Sequence, residues 1–242
     1  MHRFFLPNLQ QPLLLGTEAH HVLHVLRVKT DEIISVFDGQ GQEAQARIAE
    51  ITRDSVRLTL LQRSSTPQLA CRITLAQAIP KKNMDFIVQK ATELGVTAIM
   101  PLMTQHTVVQ LDDESKKLRR WQEIALEACK QCGNNWLPEI QPPQKLTAFL
   151  NSLPGFDLKL IGSLQPDAQS FKNVLSGADS SGRVNASSIL MMVGPEGDFT
   201  PAELSLAKSA GCVPLSLGPL VLRADTAAIY ALSVLRHEMQ NG

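Results

Sequence analysis

The feature that most constrains the fold is an apolar segment that leads, through a short loop, into a clearly marked helix start. Residues 189–193 read Ile-Leu-Met-Met-Val, which is typical of a buried strand. Thr200-Pro201-Ala202-Glu203 then places a capping Thr, a Pro at the first helical position and a Glu at the third, the pattern of a capping box. The order strand, loop, helix is the repeating unit of an α/β fold.

The same alternation runs from about residue 68 to the carboxyl terminus. The predicted strands are residues 72–79, 96–102, 158–162, 188–194 and 213–217. The predicted helices are residues 84–94, 118–132, 201–211 and 225–236. Strands separated by helices imply a parallel α/β sheet.

The amino-terminal part of the chain has a different pattern. Short β-like segments at residues 33–37, 44–51 and 55–60 are separated by Gly and Asp turns, and residues 18–27 have helical spacing. This predicts a small barrel or sandwich with one short helix. Ser64-Ser65-Thr66-Pro67 reads as a linker, so the predicted domains are residues 1–67 and 68–242.

Composition excludes several classes of protein. A chain of 242 residues is long enough for about two domains. The 23 Lys and Arg residues balance 23 Asp and Glu residues, so any site for a polyanion must be a local patch. With 8 Phe, 2 Trp and 1 Tyr, the chain is a poor match for proteins that hold single strands mainly by stacking bases on aromatic rings.

The expected location is the cytoplasm. No apolar segment approaches the ~18 residues that a bilayer span requires, and the amino terminus lacks the pattern of a secretory signal. Four cysteines in a chain of this length fit a reducing compartment better than a disulfide framework.

Three short motifs have simpler explanations than the sites they resemble. Residues 39–44 have the glycine spacing of a dinucleotide fingerprint, but a strand-like segment follows where a helix is needed, so a hairpin turn is predicted. His20 and His24 could face one side of a helix, yet no third metal ligand accompanies them. Cys129 and Cys132 lie in a helical pattern without a second pair. No metal site is predicted.

Two loops are candidates for ligand binding. Residues 194–200 and 217–225 follow successive predicted strands and contain glycines that let a ligand approach the backbone. In an open α/β sheet, loops at the carboxyl ends of the strands form the ligand crevice. On spacing alone, two ordinary strand-to-helix turns explain these residues equally well.

The motifs in these loops resemble those of a known family. Gly194-Pro195-Glu196-Gly197, Leu217-Gly218, Leu222-Arg223 and Thr226-Ala227 are similar to the carboxyl-terminal signature of the 16S rRNA uridine-N3 methyltransferases of the SPOUT superfamily. Other matching pieces extend over nearly the whole chain: Arg3-Phe4, His21 with Val25-Leu26-Arg27, residues 89–96, and Gln131-Cys132-Gly133 before Pro138-Glu139-Ile140.

The resemblance implies a fold and an activity. The expected fold is a small PUA-like β-barrel followed by a trefoil-knotted α/β methyltransferase domain. The expected activity is S-adenosylmethionine-dependent N3-methylation of one uridine in bacterial 16S rRNA within the small ribosomal subunit. A homodimer whose active site draws on both subunits is also implied, with no metal and no membrane partner.

The resemblance also implies site residues. The expected cofactor-binding residues are Leu160, Ile161, Gly162, Gly194, Pro195, Glu196, Gly197, Leu217, Gly218, Leu222 and Arg223. Arg223 is the predicted catalytic residue for stabilising negative charge on the uracil ring, although a structural ion pair with Asp225 or with a neighbouring subunit is the alternative. Glu196 is predicted to act in acid–base chemistry, if the fold buries its carboxyl group, or in orientation.

RNA contacts are expected at basic residues of both domains, namely Arg3, His21, Arg27, Lys29, Lys81 and Lys82. His24, His106 and Asn134 stand where relatives are expected to carry Arg, and fewer guanidinium groups weaken phosphate contacts. A non-catalytic RNA-binding or ribosome-assembly factor with the same fold is therefore the alternative function. A SPOUT enzyme that modifies another RNA or another ring position is a third hypothesis.

Overall fold

A computed structural model of the chain describes residues 1–107, 114–153, 155–176 and 186–240. The strands are β1 (Arg3–Phe5), β2 (Leu13–Leu15), β3 (Ile33–Phe37), β4 (Gln42–Ile51), β5 (Ser55–Ser65), β6 (Arg72–Ala78), β7 (Ala98–Met103), β8 (Glu139–Ile140), β9 (Gln144–Lys145), β10 (Leu158–Gly162), β11 (Gln169–Ser170), β12 (Ser188–Val193) and β13 (Val213–Ser216). The helices are α1 (Gly16–His20), α2 (Met84–Glu93), α3 (Glu114–Cys132), α4 (Leu146–Asn151), α5 (Phe171–Leu175), α6 (Pro201–Ser209) and α7 (Ala224–Gln240).

The chain divides into two compact units. The first unit consists of Met1–Gln68 and Leu126–Leu137, and the second of Leu69–Ala125 and Pro138–Gly242. The end of α3 and the residues after it thus belong to the first unit. One boundary in the sequence therefore does not separate the two units. The division of the sequence into two domains, residues 1–67 and 68–242, stays a prediction.

The first unit is built on a five-stranded sheet with the order β1-β3-β4-β5-β2. Its strands alternate polar and apolar residues, and the apolar set forms one core that includes Val36, Ile48 and Val56. Strands β3 and β4 form an antiparallel hairpin, in which Asp38 Oδ1 accepts hydrogen bonds from Gln40 N (2.7 Å) and Gln42 N (3.0 Å). The prediction of a hairpin turn at residues 39–44 is confirmed.

The short helix predicted at residues 18–27 exists but is not a simple α-helix. α1 continues into a π-helical turn, His21–Leu26, and the chain leaves it at Arg27 in the left-handed region with φ 53°. Val22 and Ala19 are buried in the core of this unit. Ala19 and Val22 are three positions apart, so they lie on the same face of this helical segment.

The second unit contains the predicted parallel sheet. Its strand order is β11-β13-β10-β12-β6-β7-β8, with β9 also paired to β7, and each pairing is parallel. β12 is buried at every residue, as the apolar segment predicted. The short elements β8, β9, α4, β11 and α5 were not predicted, because segments of two to six residues are too short for a clear periodicity.

Helices cover both faces of this sheet. On one face, Leu102, Leu190 and Met192 pack with Phe149 of α4 and Leu204 of α6. On the other face, α7 packs against α2, β6 and β12. Because the paired strands are parallel, their carboxyl ends meet at one edge, and the loops after β6, β7, β10, β12 and β13 all emerge there. Among the described residues, every helix is too short or too polar to cross a membrane.

Candidate active site

A cleft lies at the carboxyl edge of the parallel sheet. It opens to solvent, and the space between its walls, counted together with that open solvent, is about 590 Å³. The loops after β10, β12 and β13 form its walls, together with the start of α7. Its lining residues are Gly162, Ser163, Leu164, Val193, Gly194, Pro195, Glu196, Asp198, Leu217, Gly218, Leu220, Val221, Leu222, Ala224 and Ala227. A concave site with a few convergent backbone groups is typical of small-molecule binding.

The loop after β12 is held by its own backbone. Asp198 N donates to Pro195 O at 3.0 Å, and Asp198 adopts a left-handed conformation with φ 56°. Its Oδ1 accepts a hydrogen bond from Phe199 N at 2.8 Å. Gly194 is packed so tightly that a Cβ atom there would lie 3.1 Å from Asp198 Oδ1 and 3.3 Å from the Phe199 ring. The sequence Gly-Pro-Glu-Gly-Asp therefore forms one defined turn.

Neighbouring loops fix the same segment from outside. The two carboxylate oxygens of Glu196 accept Lys81 N, from the loop after β6, at 3.0 and 3.1 Å. His106 Nδ1, from the loop after β7, lies 2.9 Å from Asp198 O. Since a carbonyl oxygen only accepts, the imidazole donates from Nδ1 in this contact.

The predicted capping box closes this loop. Thr200 Oγ1 accepts from Glu203 N at 3.3 Å, and Glu203 Oε2 accepts from Thr200 N at 2.9 Å. Glu203 Oε1 also accepts from Gln105 N at 2.8 Å. One carboxylate thus caps α6 and attaches it to the loop after β7.

The loop after β13 is built differently. Gly218 has φ 114°, a conformation that glycine adopts without strain, and its N–H makes a long 3.4 Å contact with Ser216 Oγ. Leu220 and Val221 are 73% and 77% exposed, and Leu164 across the cleft is 59% exposed. Large apolar side chains gathered around a concave surface indicate a ligand with an apolar face.

Arg223 stands where this loop enters α7. Its carbonyl oxygen accepts the first hydrogen bond of the helix, from Ala227 N at 2.8 Å. Its side chain is exposed, and no ion pair or hydrogen bond to another described residue holds the guanidinium. The residues on either side, Leu222 and Ala224, line the cleft.

Asp225 is held by other groups. Its Oδ2 accepts from Asn83 Nδ2 at 2.9 Å and its Oδ1 from Thr226 N at 2.8 Å. Partial burial disfavours the charged form, but the hydrogen bonds from Asn83 and Thr226 and the nearby charge of Arg223 outweigh it, so the pKa of Asp225 is lowered. The carboxyl group is therefore ionised at neutral pH.

The structure brings most of the predicted cofactor residues together. Seven of them line the cleft: Gly162, Gly194, Pro195, Glu196, Leu217, Gly218 and Leu222. Leu160 and Ile161 are fully buried inside β10, so they support the cleft and do not line it. Gly197 packs against His106, and Arg223 lies at the margin.

Eight further residues line the cleft but were not among the predicted cofactor-binding residues, namely Ser163, Leu164, Val193, Asp198, Leu220, Val221, Ala224 and Ala227. Four of them lie in the two loops predicted to bind a ligand, residues 194–200 and 217–225. Seven of the eight are within two positions of a predicted residue, and Ala227 lies one helical turn after Arg223.

Arg3 has an internal role in the first unit. Its side chain is 12% exposed and pairs with Glu43 at 3.3 Å, donates to Asn134 O and Asn135 Oδ1, and lies over the Phe37 ring. Desolvation would raise the pKa of Glu43, but hydrogen bonds from Ser35 and Asn135 and the charge of Arg3 lower it. These contacts hold Arg3 inside the first unit, and its predicted contact with RNA stays a prediction.

The other predicted RNA-binding residues are more accessible. Arg27, Lys29, Lys81 and Lys82 are exposed and form no ion pair with another described residue. His21 is half-buried, with its ring edge-on to Phe4 at 6.0 Å.

The three positions expected to differ from relatives are also placed. His24 is exposed beside His20, and His106 lies on Gly197. The Asn134 side chain accepts from Trp136 N at 2.9 Å, so it stabilises a turn.

The described residues contain no group of three His, Cys, Asp or Glu side chains that could hold a metal ion. Within the Cys-x-x-Cys motif, burial raises the pKa of the Cys129 thiol to about 12, while Cys132 is exposed. A thiol with such a pKa is a poor thiolate ligand.

Comparison with known proteins decides the family. A family profile described as an RNA methyltransferase domain matches residues 67–236, and one described as an RNA methyltransferase PUA domain matches residues 14–61. The chain belongs to the RNA methyltransferase family. This confirms the predicted enzyme class and the PUA-like amino-terminal unit of an α/β protein.

Relatives of this RNA methyltransferase align over nearly its whole length. The chain is 30% identical to the ribosomal RNA small subunit methyltransferase E of Bacillus subtilis (strain 168), over 99% of this chain and 98% of that protein. It is 32% identical to the protein of the same name from Synechocystis sp., over 91% of this chain and 71% of that protein.

Two solved structures are also similar. A methyltransferase from Legionella pneumophila in complex with bound S-adenosylmethionine has a TM-score of 0.86 and 34% identity, covering 97% of this chain and 96% of that one. The ribosomal RNA small subunit methyltransferase E from Neisseria gonorrhoeae, bound to S-adenosylmethionine, has a TM-score of 0.86 and 33% identity, covering 98% and 97%.

Proposed function

We propose that the protein transfers a methyl group from S-adenosylmethionine to N3 of one uridine in the RNA of the small ribosomal subunit. The observation that carries this proposal is the cleft, where three glycine-containing loops of an RNA methyltransferase meet beside Arg223, whose guanidinium pairs with no other described residue. The names of the relatives and the cofactor of the two similar structures support the substrate and the donor.

The residues of the cleft fit this donor. An open cleft between three loops can admit an elongated ligand such as a nucleoside joined to an amino acid. Leu164, Leu220 and Val221 offer apolar surface to a purine face, and Gly162 and Gly218 leave backbone groups accessible for its polar edge. Bound there, S-adenosylmethionine supplies an electrophilic methyl group that is released to N3.

The finer fold and assembly are part of the proposal. β10 lies between β12 and β13, so the connection between those two strands passes β10, and α7 returns to pack on β12 and β6. This doubling back supports the trefoil knot of the SPOUT superfamily. We also propose a homodimer in which both subunits contribute to the active site.

Arg223 stabilises the negative charge of the reaction. Uracil N3 must lose its proton, and the charge that remains spreads onto the ring carbonyl oxygens. A guanidinium keeps its own charge at any working pH and offers several donors to such oxygens. Its place at the amino end of α7 adds the positive end of the helix dipole, a contribution of roughly 0.3–1 kcal/mol.

Glu196 orients the site. Its carboxylate is exposed and accepts the Lys81 amide with both oxygens, so it joins the donor loop to the loop that carries Lys81 and Lys82. The burial that would suit a proton acceptor is absent at this described residue. We therefore propose that Glu196 acts as an orienting group and that water takes the N3 proton.

The RNA surface is proposed to include exposed basic residues of each unit. Arg27 and Lys29 follow the π-helical turn of the first unit, with His24 one turn earlier. Lys81 and Lys82 lie in the loop that Glu196 holds. Such side chains position phosphates without reading sequence, and the affinity for RNA should fall with rising salt.

The test is methyl transfer by the Arg223→Ala variant to small ribosomal subunits from a strain that lacks the gene, with mass-spectrometric mapping of the product nucleoside. We expect N3-methyluridine at a single site with the wild-type protein, and a loss of kcat of about 100-fold or more for the variant, the range seen when one charge-stabilising donor is removed. The Kd for S-adenosylmethionine should stay unchanged.

The exposed Arg119→Ala serves as the matched control. Full turnover by Arg223→Ala would reject the role of Arg223. A different methylated nucleoside would reject the substrate.

A further inference from the structure

Asn83 uses its side chain in an unusual way. It occupies the residue before the first turn of α2, where an Asn side chain usually accepts a hydrogen bond from the helix backbone, but it makes no such cap. Its backbone is left-handed, with φ 69°, a conformation that Asn tolerates better than most residues. The Nδ2 atom instead donates to Asp225 Oδ2 at 2.9 Å, across 142 positions of sequence.

The loop that carries Asn83 is fixed on its other side as well. Lys81 N donates to the Glu196 carboxylate, and Pro80 is buried. Asn83 therefore reaches Asp225 from a loop that is attached to the wall of the cleft. An exposed hydrogen bond with this support is better defined than one between two free side chains.

The hydrogen bond from Asn83 competes with other partners of the Asp225 carboxylate. A carboxylate two residues from a guanidinium is a natural partner for it, because charge-assisted hydrogen bonds are about twice as strong as neutral ones. Here Asn83 takes one carboxylate oxygen of Asp225 and Thr226 N takes the other. Arg223 lies near enough to help lower the pKa of Asp225, yet forms no ion pair with a described residue.

We propose that Asn83 is a positioning residue that occupies Asp225 and so keeps the guanidinium of Arg223 available for the reacting uracil. This inference rests on the proposed role of Arg223. It gives the loop after β6 a role in the reaction, although neither Asn83 nor Asp225 lines the cleft. Removal of the Asn83 amide frees one oxygen of Asp225 for Arg223, which draws the guanidinium away from the substrate.

The test is a double-mutant cycle with Asn83→Ala and Asp225→Asn in the full-length protein. The assay uses labelled S-adenosylmethionine and unmethylated small ribosomal subunits. Asn83→Ala alone is expected to lower kcat about tenfold, while the KM for S-adenosylmethionine and the Tm stay close to wild type. Asp225→Asn removes the competing charge, so adding Asn83→Ala to that variant should change kcat by less than about twofold.

Two variants complete the design. Asn151→Ala removes an exposed amide elsewhere in the same unit and should leave kcat unchanged. Arg223→Ala, measured in parallel, separates the two hypotheses: if it retains activity, the proposed function of Arg223 fails. If Arg223→Ala is inactive but Asn83→Ala is fully active, or lowers kcat equally in the Asp225→Asn background, the positioning role of Asn83 is wrong.

Discussion

Two loops of the cleft follow strands β12 and β13 of one parallel sheet, on either side of β10, but are stabilised to very different degrees. The loop after β12, residues 194–200, has an internal turn, a capping box and contacts from the loops after β6 and β7. The loop after β13, residues 217–223, has one long backbone-to-hydroxyl contact and two highly exposed apolar residues. We infer that the fold preorganises the loop after β12, whereas the loop after β13 becomes ordered when a ligand binds.

This division has a physical reason. Backbone groups recognise a ligand well only if they are already in place, since ordering a residue on binding costs roughly 1–2 kcal/mol. The loop after β13, residues 217–223, forms the adaptable wall of the cleft: it lets the ligand enter and then covers the ligand's apolar face. Substitutions in the loop after β12 should therefore change stability and binding together, whereas substitutions in the loop after β13 should change binding alone.

The largest effect is expected from Gly194→Val. A Cβ atom at this position meets Asp198 and Phe199 at 3.1–3.3 Å, so the turn must open. We expect a loss of ~1–3 kcal/mol in the free energy of unfolding, the usual range for overpacking, and a donor affinity at least about tenfold weaker. Urea unfolding and calorimetric titration with S-adenosylmethionine measure the two quantities.

Gly155→Val is the matched control for this experiment, because a Cβ atom at Gly155 has no neighbour within 4 Å. If Gly194→Val is as stable as Gly155→Val, the loop after β12 is not preorganised.

A smaller effect is expected from Glu203→Ala. The substitution removes the acceptor for Thr200 N and Gln105 N, and a lost cap typically costs ~1–2 kcal/mol. Glu203→Gln keeps one acceptor oxygen and should recover part of this loss. Thermal unfolding measures the change, with Glu238→Ala as a control at an exposed position. Equal Tm values for Glu203→Ala and Glu238→Ala would contradict the role of the cap.

These two loops also show what the sequence could and could not predict. The capping box at Thr200 was predictable because it depends on residues three positions apart. The bounds of β10 and the parallel sheet followed from local periodicity. The resemblance to a family then drew attention to the glycine loops, which periodicity alone left equally explained as ordinary turns.

Contacts between distant residues had no comparable signal. Lys81 with Glu196 and Asn83 with Asp225 join residues 115 and 142 positions apart, and nothing in the local pattern marks either pair. The contact of Arg3 with Asn135 spans 132 positions and had no local signal either, while the prediction that Arg3 contacts RNA stays a prediction. The π-helical turn was also missed because its apolar spacing is close to that of an α-helix.

The adaptable wall contains two exposed apolar side chains that should contact the ligand. Leu220→Ser with Val221→Ser removes apolar surface that is exposed in the free protein, so the free energy of unfolding should stay within ~0.5 kcal/mol of wild type. The affinity for S-adenosylmethionine should fall about fivefold to tenfold, which corresponds to ~1 kcal/mol of lost apolar burial.

Calorimetric titration and urea unfolding check both parts of this prediction. Leu61→Ser, a change at another exposed leucine, is the control. A clear loss of stability in the double variant would show that the fold, and not the ligand, orders this wall.

The smallest effect is expected at the exit of the adaptable loop, where Asp225 anchors the start of α7. Hydrogen bonds from Asn83 and Thr226 lower the pKa of Asp225 from its ordinary value of 3.8. A carboxyl group whose pKa is lower in the folded state stabilises the fold above its unfolded pKa, and this stabilisation is lost as the pH falls through the folded pKa. The contribution should thus be complete at pH 6 and should decline below about pH 4.

Stability curves between pH 2.5 and 7 for the wild type and Asp225→Asn test this, with Asp54→Asn as the control for loss of an exposed carboxylate. The wild type and Asp54→Asn should lose stability in parallel at acid pH, while Asp225→Asn should lose less. Asn83→Ala should show an intermediate slope, because it removes one of the hydrogen bonds to this carboxylate. Identical slopes for all four proteins would mean that Asp225 does not anchor the loop, and the adaptable wall would then extend into the first turn of α7.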